Sequence, residues 1–166
     1  MKRSYLVVPV FAVLLALVPS TALASTQYQE SVFGIETGIP QSTSACPSPD
    51  SVSSFAGVAT GTLRGVFAIA VCHEPLAPSA RILGGTFVVT NGATRVVGAF
   101  EPGGSVTYVT TAVIGSLCIQ KFAVAGQLDP GPGHFAGNLL HYGALVGASC
   151  NVFFATISGH AVLYGP

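Results

Sequence analysis

The chain has 166 residues, of which 50% are hydrophobic and only 7% are charged, and its formal net charge is +0. The six Lys and Arg residues are scattered and form no basic stripe. Because proteins that bind nucleic acid need clustered basic side chains to neutralise phosphates, this composition excludes a nucleic-acid partner.

The first 24 residues have the pattern of a cleavable secretory signal. Lys2 and Arg3 precede an apolar run from Leu6 to Val18, and the run is followed by a small-x-small cleavage site that ends at Ala24. No stretch of the chain reaches the length of a transmembrane helix, so we expect a secreted or periplasmic protein without a membrane span. Cleavage leaves about 140 residues, enough for one domain with a substantial core.

An N-terminal segment, residues 25–54, is predicted to contain one weak strand near 27–37 and a Ser- and Pro-rich loop. The loop composition is clearest in PQSTSACPSPDSVSS, because Ser, Pro and Asp favour turns. The main part of the fold is therefore expected in residues 55–166.

Residues 55–166 show the alternation of apolar and polar side chains that is typical of half-buried β-strands. In GTLRGVFAIAVC, the apolar residues on one face include Leu63, Phe67, Ile69 and Val71. The last segment, NVFFATISGHAVL, is predicted to bury Phe153, Ala155, Ile157, Ala161 and Leu163 and to expose Thr156, Ser158 and His160. Further strands are predicted near 82–90, 93–101, 104–114, 117–128 and 133–143.

Turn signals separate these strands at Asn91-Gly92, at Pro102-Gly103-Gly104 and between Asp129 and Gly133. About eight strands result, and their number and spacing predict an all-β fold, either a single antiparallel barrel or a β-sandwich. The triplet Gly-x-Phe occurs four times, as in GHF at 133–135. Since a glycine in a strand leaves space that a neighbouring ring can cover, we interpret the repeat as a device for barrel curvature.

Four cysteines, an even number in an exported chain, predict two disulfides. Three pairings are possible, and we favour Cys46 with Cys72 and Cys118 with Cys150, since each pair is nearest in sequence. No spacing is of the short Cys-x-x-Cys type, so zinc ligation is disfavoured.

The segments GHFAGNLLHYGAL and FFATISGHAVL resemble the glycine-phenylalanine-alanine-glycine strand pairs of the dirigent and allene oxide cyclase type of eight-stranded barrel, including its small exported bacterial members. The resemblance covers about the last third of the chain and implies a barrel. That group contains cyclases, proteins that guide radical coupling and members without an assigned role. No catalytic set of the group can be matched here, so no residue role is carried over.

The histidines are the strongest candidates for chemistry. His73 and Glu74 are expected to form a solvated pair at a strand end, and His134 and His160 are expected on the outside of the fold. His141 can point inward, since it is two residues from the apolar Leu139. With His141, the candidate ligand-binding residues are Tyr108 and Tyr142.

No serine-nucleophile motif, phosphate loop or dinucleotide fingerprint is found, so we expect no catalytic residue, cofactor or metal. The leading hypothesis is an exported, non-enzymatic barrel that binds a small apolar ligand or acts as an interaction module. The alternative is a cyclase- or isomerase-type enzyme that uses a polar group in an apolar cavity. A high apolar fraction with few charges also points to a homo-oligomer.

Overall fold

The computed structural model describes residues 25–165, and the regular structure in this range consists of nine β-strands. The predicted signal, residues 1–24, lies outside the described residues. Within that range no helix is long and apolar enough to cross a membrane. The strands are β1 Thr26–Glu36, β2 Ser51–Gly61, β3 Gly65–His73, β4 Ala80–Asn91, β5 Thr94–Phe100, β6 Gly104–Ile114, β7 Leu117–Asp129, β8 Gly133–Val146 and β9 Ser149–Gly165.

All strand pairs are antiparallel, and hydrogen bonding closes eight strands into a ring in the order β3-β2-β1-β9-β8-β7-β5-β4, with β4 returning to β3. The predicted all-β antiparallel fold is confirmed. The ring is not an even barrel, because β5 pairs with β7 at only two positions, Ala99↔Asp129 and Phe100↔Leu128. β6 spans this weak point by pairing with both β7 and β4.

The N-terminal part contributes more to the sheet than its composition predicted. β1 is paired on both edges, with β2 and with β9. β2 is the strand that the sequence did not predict. It begins at Ser51, inside the stretch whose composition indicated a loop. The strand predicted in GTLRGVFAIAVC, residues 61–72, begins later than expected. Residues 62–64 form a turn in which Arg64 has a φ of 55°, and β3 begins at Gly65.

The expectation that neighbouring rings cover the glycines of the Gly-x-Phe triplets is wrong, because the nearest atoms to those glycines belong to main chain or to leucine side chains. Aromatic rings in the lumen instead cover other glycines. A Cβ on Gly159 would lie 2.9 Å from Cζ of Phe135, and a Cβ on Gly34 would lie 2.5 Å from Cζ of Phe67. Only glycine leaves room for these rings. The predicted hairpin at Asn91-Gly92 also forms, with Gly92 at a φ of 56°.

Phenylalanine side chains fill the lumen enclosed by the eight strands. Phe87 lies at the centre, with ring centroids 5.9 Å from Phe67, 6.5 Å from Phe100 and 5.9 Å from Phe135. The free space left beside this cluster is about 30 Å³, room for about one water molecule. The lumen is therefore a packed core, and a larger ligand has to bind elsewhere.

Both favoured disulfides are confirmed: Cys46 is bonded to Cys72 and Cys118 to Cys150. They lie at the same end of the ring, since Cys72 directly precedes His73 at the end of β3 and Cys118 pairs with Gly143 near the end of β8. Two disulfides in so small a domain indicate an oxidising, extracytoplasmic location.

Candidate functional site

A pocket of about 550 Å³ opens at the end of the ring that carries the disulfides. The end of β1, the segment that follows it, the loop after β3 and the start of β9 form its sides, and β2, β3 and β8 add inward-facing residues. Its polar residues include Glu36, Ser53, His73 and His141, and its apolar walls include Ile39, Pro40, Leu76, Val152, Phe153 and Phe154.

Strand alternation places three of the polar residues together. Glu36, Ser53 and His73 lie on inward-facing positions at the same end of β1, β2 and β3. Ser53 pairs with Val71, two residues before His73, so the two polar side chains are diagonal neighbours on one face. Each strand thus continues its lumen-facing row into the pocket with a polar residue.

His73 is held by hydrogen bonds on both ring nitrogens. Its Nδ1 lies 2.7 Å from the main-chain oxygen of Glu74, and its Nε2 lies 2.9 Å from Oγ of Ser53. A carbonyl oxygen only accepts, so Nδ1 donates, and in the neutral ring Nε2 accepts from the Ser53 hydroxyl. The imidazole therefore has a fixed tautomer and orientation.

The expectation that His73 is a solvated loop residue is wrong. Its side chain is only 7% exposed, because His73 continues the inward row of Phe67, Ile69 and Val71. Glu74 does lie at the surface, where it forms an ion pair with Arg81. That pair holds the pKa of the Glu74 carboxyl below its usual value, chiefly through the hydrogen bond from Arg81.

Glu36 is half-buried, and this burial raises the pKa of its carboxyl above the usual value. The Ser53 hydroxyl, which hydrogen-bonds to the carboxyl, partly offsets that effect. The one salt bridge within residues 25–165 joins Arg81 and Glu74, so Glu36 has no cationic partner in this range. Burial without an opposite charge disfavours the ionised form.

His141 points inward, on the strand face that also buries Leu139. Its ring packs against Phe122, with 5.0 Å between the ring centroids. Burial lowers the pKa of His141, and the nearby His73 lowers it further. The imidazole is therefore predominantly neutral at neutral pH and can both donate and accept a hydrogen bond in the pocket.

The two candidate tyrosines lie apart from each other. Tyr108 lines a second pocket of about 430 Å³, which shares His141 with the main pocket, and its hydroxyl lies 2.9 Å from Oγ1 of Thr111. Tyr142 does not line the pocket and instead stacks on Phe154, with ring centroids 4.4 Å apart. The remaining histidines, His134 and His160, are exposed on the outer surface, as expected.

The last strand departs from the predicted alternation at the rim of the pocket. Phe153, expected in the core, is 61% exposed. The β8–β9 register shifts here, because Tyr142 pairs with Phe154 and Gly143 pairs with Val152, which leaves Phe153 without a partner. Such a bulge redirects side chains, and here adjacent phenylalanines both line the pocket. Thr156, predicted to be solvent-facing, is also buried.

The arrangement combines an apolar wall with a short polar row. Within residues 25–165, no group of three His, Cys, Asp or Glu side chains is placed to hold a metal ion. Ser53, His73 and Glu36 can donate or accept hydrogen bonds and can move a proton between the imidazole and the carboxyl. These capacities suit recognition of a ligand's polar group or proton transfer.

Comparison of the chain with protein-family models, curated proteins and solved structures finds no match. The resemblance to the dirigent and allene oxide cyclase barrels is supported only at the level of an antiparallel ring of eight strands. The chain is assigned to no family.

Proposed function

We propose that this protein is an extracytoplasmic binding protein for a small, largely apolar molecule, which it holds in the pocket at the disulfide-bonded end of the ring. The observation that carries the proposal is a pocket of about 550 Å³ with phenylalanines on its wall. This volume is within the range of small-molecule sites. The lumen, with about 30 Å³ free, offers no competing site.

Exposed aromatic rings at the pocket support an apolar occupant. Phe153 and Phe154 are 61% and 42% exposed, although both belong to the most hydrophobic class of side chain. Covering them removes apolar surface from water, which stabilises a complex. Tyr142 stacks behind Phe154 and holds that ring in place, so the wall is preformed.

Native mass spectrometry of the disulfide-bonded protein from an exporting host tests the proposal. We expect extra mass that is lost on denaturation, and a Phe153→Ser variant that no longer retains it. Val113→Ser is the control, since Val113 is 53% exposed and lies outside both the pocket and the proposed interface between copies. A bare wild-type chain that also binds no member of an apolar ligand panel contradicts the proposal.

A second candidate function is a cyclase- or isomerase-type reaction, favoured by the hydrogen-bonded chain from Glu36 through Ser53 to His73. The chain has two arrangements with the same number of protons. In one, a protonated Glu36 donates to Ser53, whose hydroxyl donates to neutral His73. In the other, protonated His73 donates to Ser53, which donates to the Glu36 carboxylate. A proton can therefore pass between two groups that face the pocket.

Isomerisation of cyclohex-3-enone to cyclohex-2-enone, followed by absorbance, tests this candidate, because the reaction moves one proton between two carbons of a small apolar ketone. We expect acceleration by the wild type, loss of acceleration in His73→Gln and Ser53→Ala, and no loss in the exposed control His160→Gln. Equal rates for all four proteins contradict the candidate.

For a partner, we propose a second copy of the chain on the outer face of β1, β2 and β3. Phe33, Val58 and Val66 lie side by side in register there, and each is more than half exposed. The row carries no charge that would repel a copy of itself.

Light scattering should give a dimer for the wild type and a monomer for Val58→Lys, whereas Val113→Lys, an exposed site on β6, should remain dimeric. A monomeric wild type at high concentration contradicts this assembly.

A further inference from the structure

We propose that the pocket selects positively charged apolar molecules, such as an ammonium group on a hydrocarbon body, and that Glu36 is the residue that binds the charge. This inference rests on the proposed binding function and names its ligand class. It follows from the charge balance of the pocket and from the nature of its walls.

The charge balance of the pocket is negative when Glu36 is ionised. Among the residues that line it, the titratable ones are Glu36, His73 and His141. Both ring nitrogens of His73 are engaged, and burial keeps His141 predominantly neutral. None of the basic residues within 25–165 lines the pocket, and Arg81 is paired with Glu74 outside it.

Glu36 therefore lacks the cation that a half-buried carboxylate normally has. The Ser53 hydroxyl is the side chain that reaches it, but its single hydrogen is shared between the carboxylate and Nε2 of His73. One hydrogen bond does not offset the loss of hydration, as the raised pKa of Glu36 indicates. A bound cation would restore an opposite charge, whereas an anion would be repelled and a neutral ligand would gain little.

The pocket walls suit an organic cation better than a hydrated metal ion. Phe153 and Phe154 both line the pocket, and their ring centroids lie 5.5 Å apart. Aromatic faces attract ammonium groups, and their apolar surface binds the hydrocarbon to which such a group is attached. No set of ligands for a metal ion is present within residues 25–165.

Three adamantane derivatives with the same hydrocarbon cage test the inference: 1-adamantylamine, 1-adamantanol and adamantane-1-carboxylate. Binding to the disulfide-bonded protein is measured by isothermal titration calorimetry near pH 7. We expect the ammonium to bind at least about 10-fold more tightly than the alcohol, and the carboxylate to bind most weakly. Acidification should weaken binding of the ammonium, because Glu36 becomes protonated and His141 gains positive charge.

Glu36→Gln isolates the role of the carboxylate. We expect it to bring the affinity for the ammonium down to that for the alcohol and to leave the alcohol unaffected. Glu101→Gln is the matched control, since it removes the same charge from an exposed residue outside the pocket. Equal loss in both variants would mean that long-range charge, and not Glu36, selects the cation.

The outcomes separate this inference from the proposed function. If all three compounds bind equally, or the carboxylate binds best, charge selection by Glu36 is overturned and the apolar binding function stands. If none of the three binds, the proposed function fails together with the inference. Tighter binding of the ammonium that Glu36→Gln abolishes and Glu101→Gln retains supports both.

Discussion

Replacing Phe135 with alanine tests whether the aromatic cluster holds the ring of strands together. Phe135 is 1% exposed, and its ring centroid lies 5.9 Å from that of Phe87 and 6.3 Å from that of Phe100. The tip of the ring lies over Gly137 and Gly159, which have no side chains. The ring therefore connects β8 and β9 with strands on the opposite side of the lumen.

We expect Phe135→Ala to lower the free energy of unfolding by about 4–5 kcal/mol, the upper part of the range for buried phenylalanine. Two features place it there. The space left by the ring would join the existing void of about 30 Å³, and the facing glycines offer no side chain to fill it. Phe135→Leu, which retains most of the volume, should cost about 1.5 kcal/mol.

Urea unfolding followed by far-UV circular dichroism measures these losses, since the protein contains no tryptophan for fluorescence. Oxidising conditions keep both disulfides closed. Val113→Ala, a truncation at a residue that is 53% exposed and outside the proposed interface between copies, is the control and should cost less than about 1 kcal/mol. A loss for Phe135→Ala below about 2 kcal/mol, or equal to that of the control, would refute the central role of the cluster.

Three further changes follow from the packing, the cross-links and the charges. Gly159→Ala should cost at least about 2 kcal/mol, because its Cβ would lie 2.5 Å from the main-chain oxygen of Ala136, whereas Gly38→Ala, with open space around it, should be near neutral; equal thermal stability would contradict the close approach. Replacing Cys118 and Cys150 with serine opens a 32-residue separation and should cost about 3–4 kcal/mol in urea unfolding, and an unchanged midpoint would contradict this. Burial raises the pKa of Glu36 above 4.5, so the stability that its protonated form contributes is lost as pH rises through the raised pKa. Glu36→Gln should therefore be more stable than the wild type near pH 7 and equally stable in acid. The opposite trend with pH would refute the burial argument.

Alternation and turn residues were sufficient to predict most of the strands, but not β2. Its inward row is Ser53, Phe55, Gly57 and Ala59, which carries little hydrophobic signal. The reason lies in the neighbouring strand, because Phe67 of β3 pairs with Gly57 and its ring extends as far as Gly34 of β1. A strand whose side of the core is filled by a neighbour's ring shows small residues in its own sequence. Composition alone then indicates a loop.

The two errors at the candidate site differ in kind. His73 could have been placed correctly, since counting two residues on from Val71 puts it on the inward face. Phe153 could not, because its position depends on a register shift between β8 and β9 that adds a residue opposite Tyr142 and Gly143. Such a shift is a property of strand pairing, and nothing in the sequence of one strand specifies it.

The two glutamates on the inward face of β1 show how one strand can serve both stability and binding. Glu30, toward one end, is 2% exposed, and its carboxylate accepts from the main-chain nitrogens of Leu63 and Arg64 in the β2–β3 turn. Glu36, six residues further on the same face, lines the pocket at the other end. Backbone donors satisfy the first carboxylate, whereas the second has one hydroxyl and no cation within the described residues. Because the packed phenylalanines separate the two ends, substitutions in the lumen should alter folding and substitutions at Glu36 should alter binding.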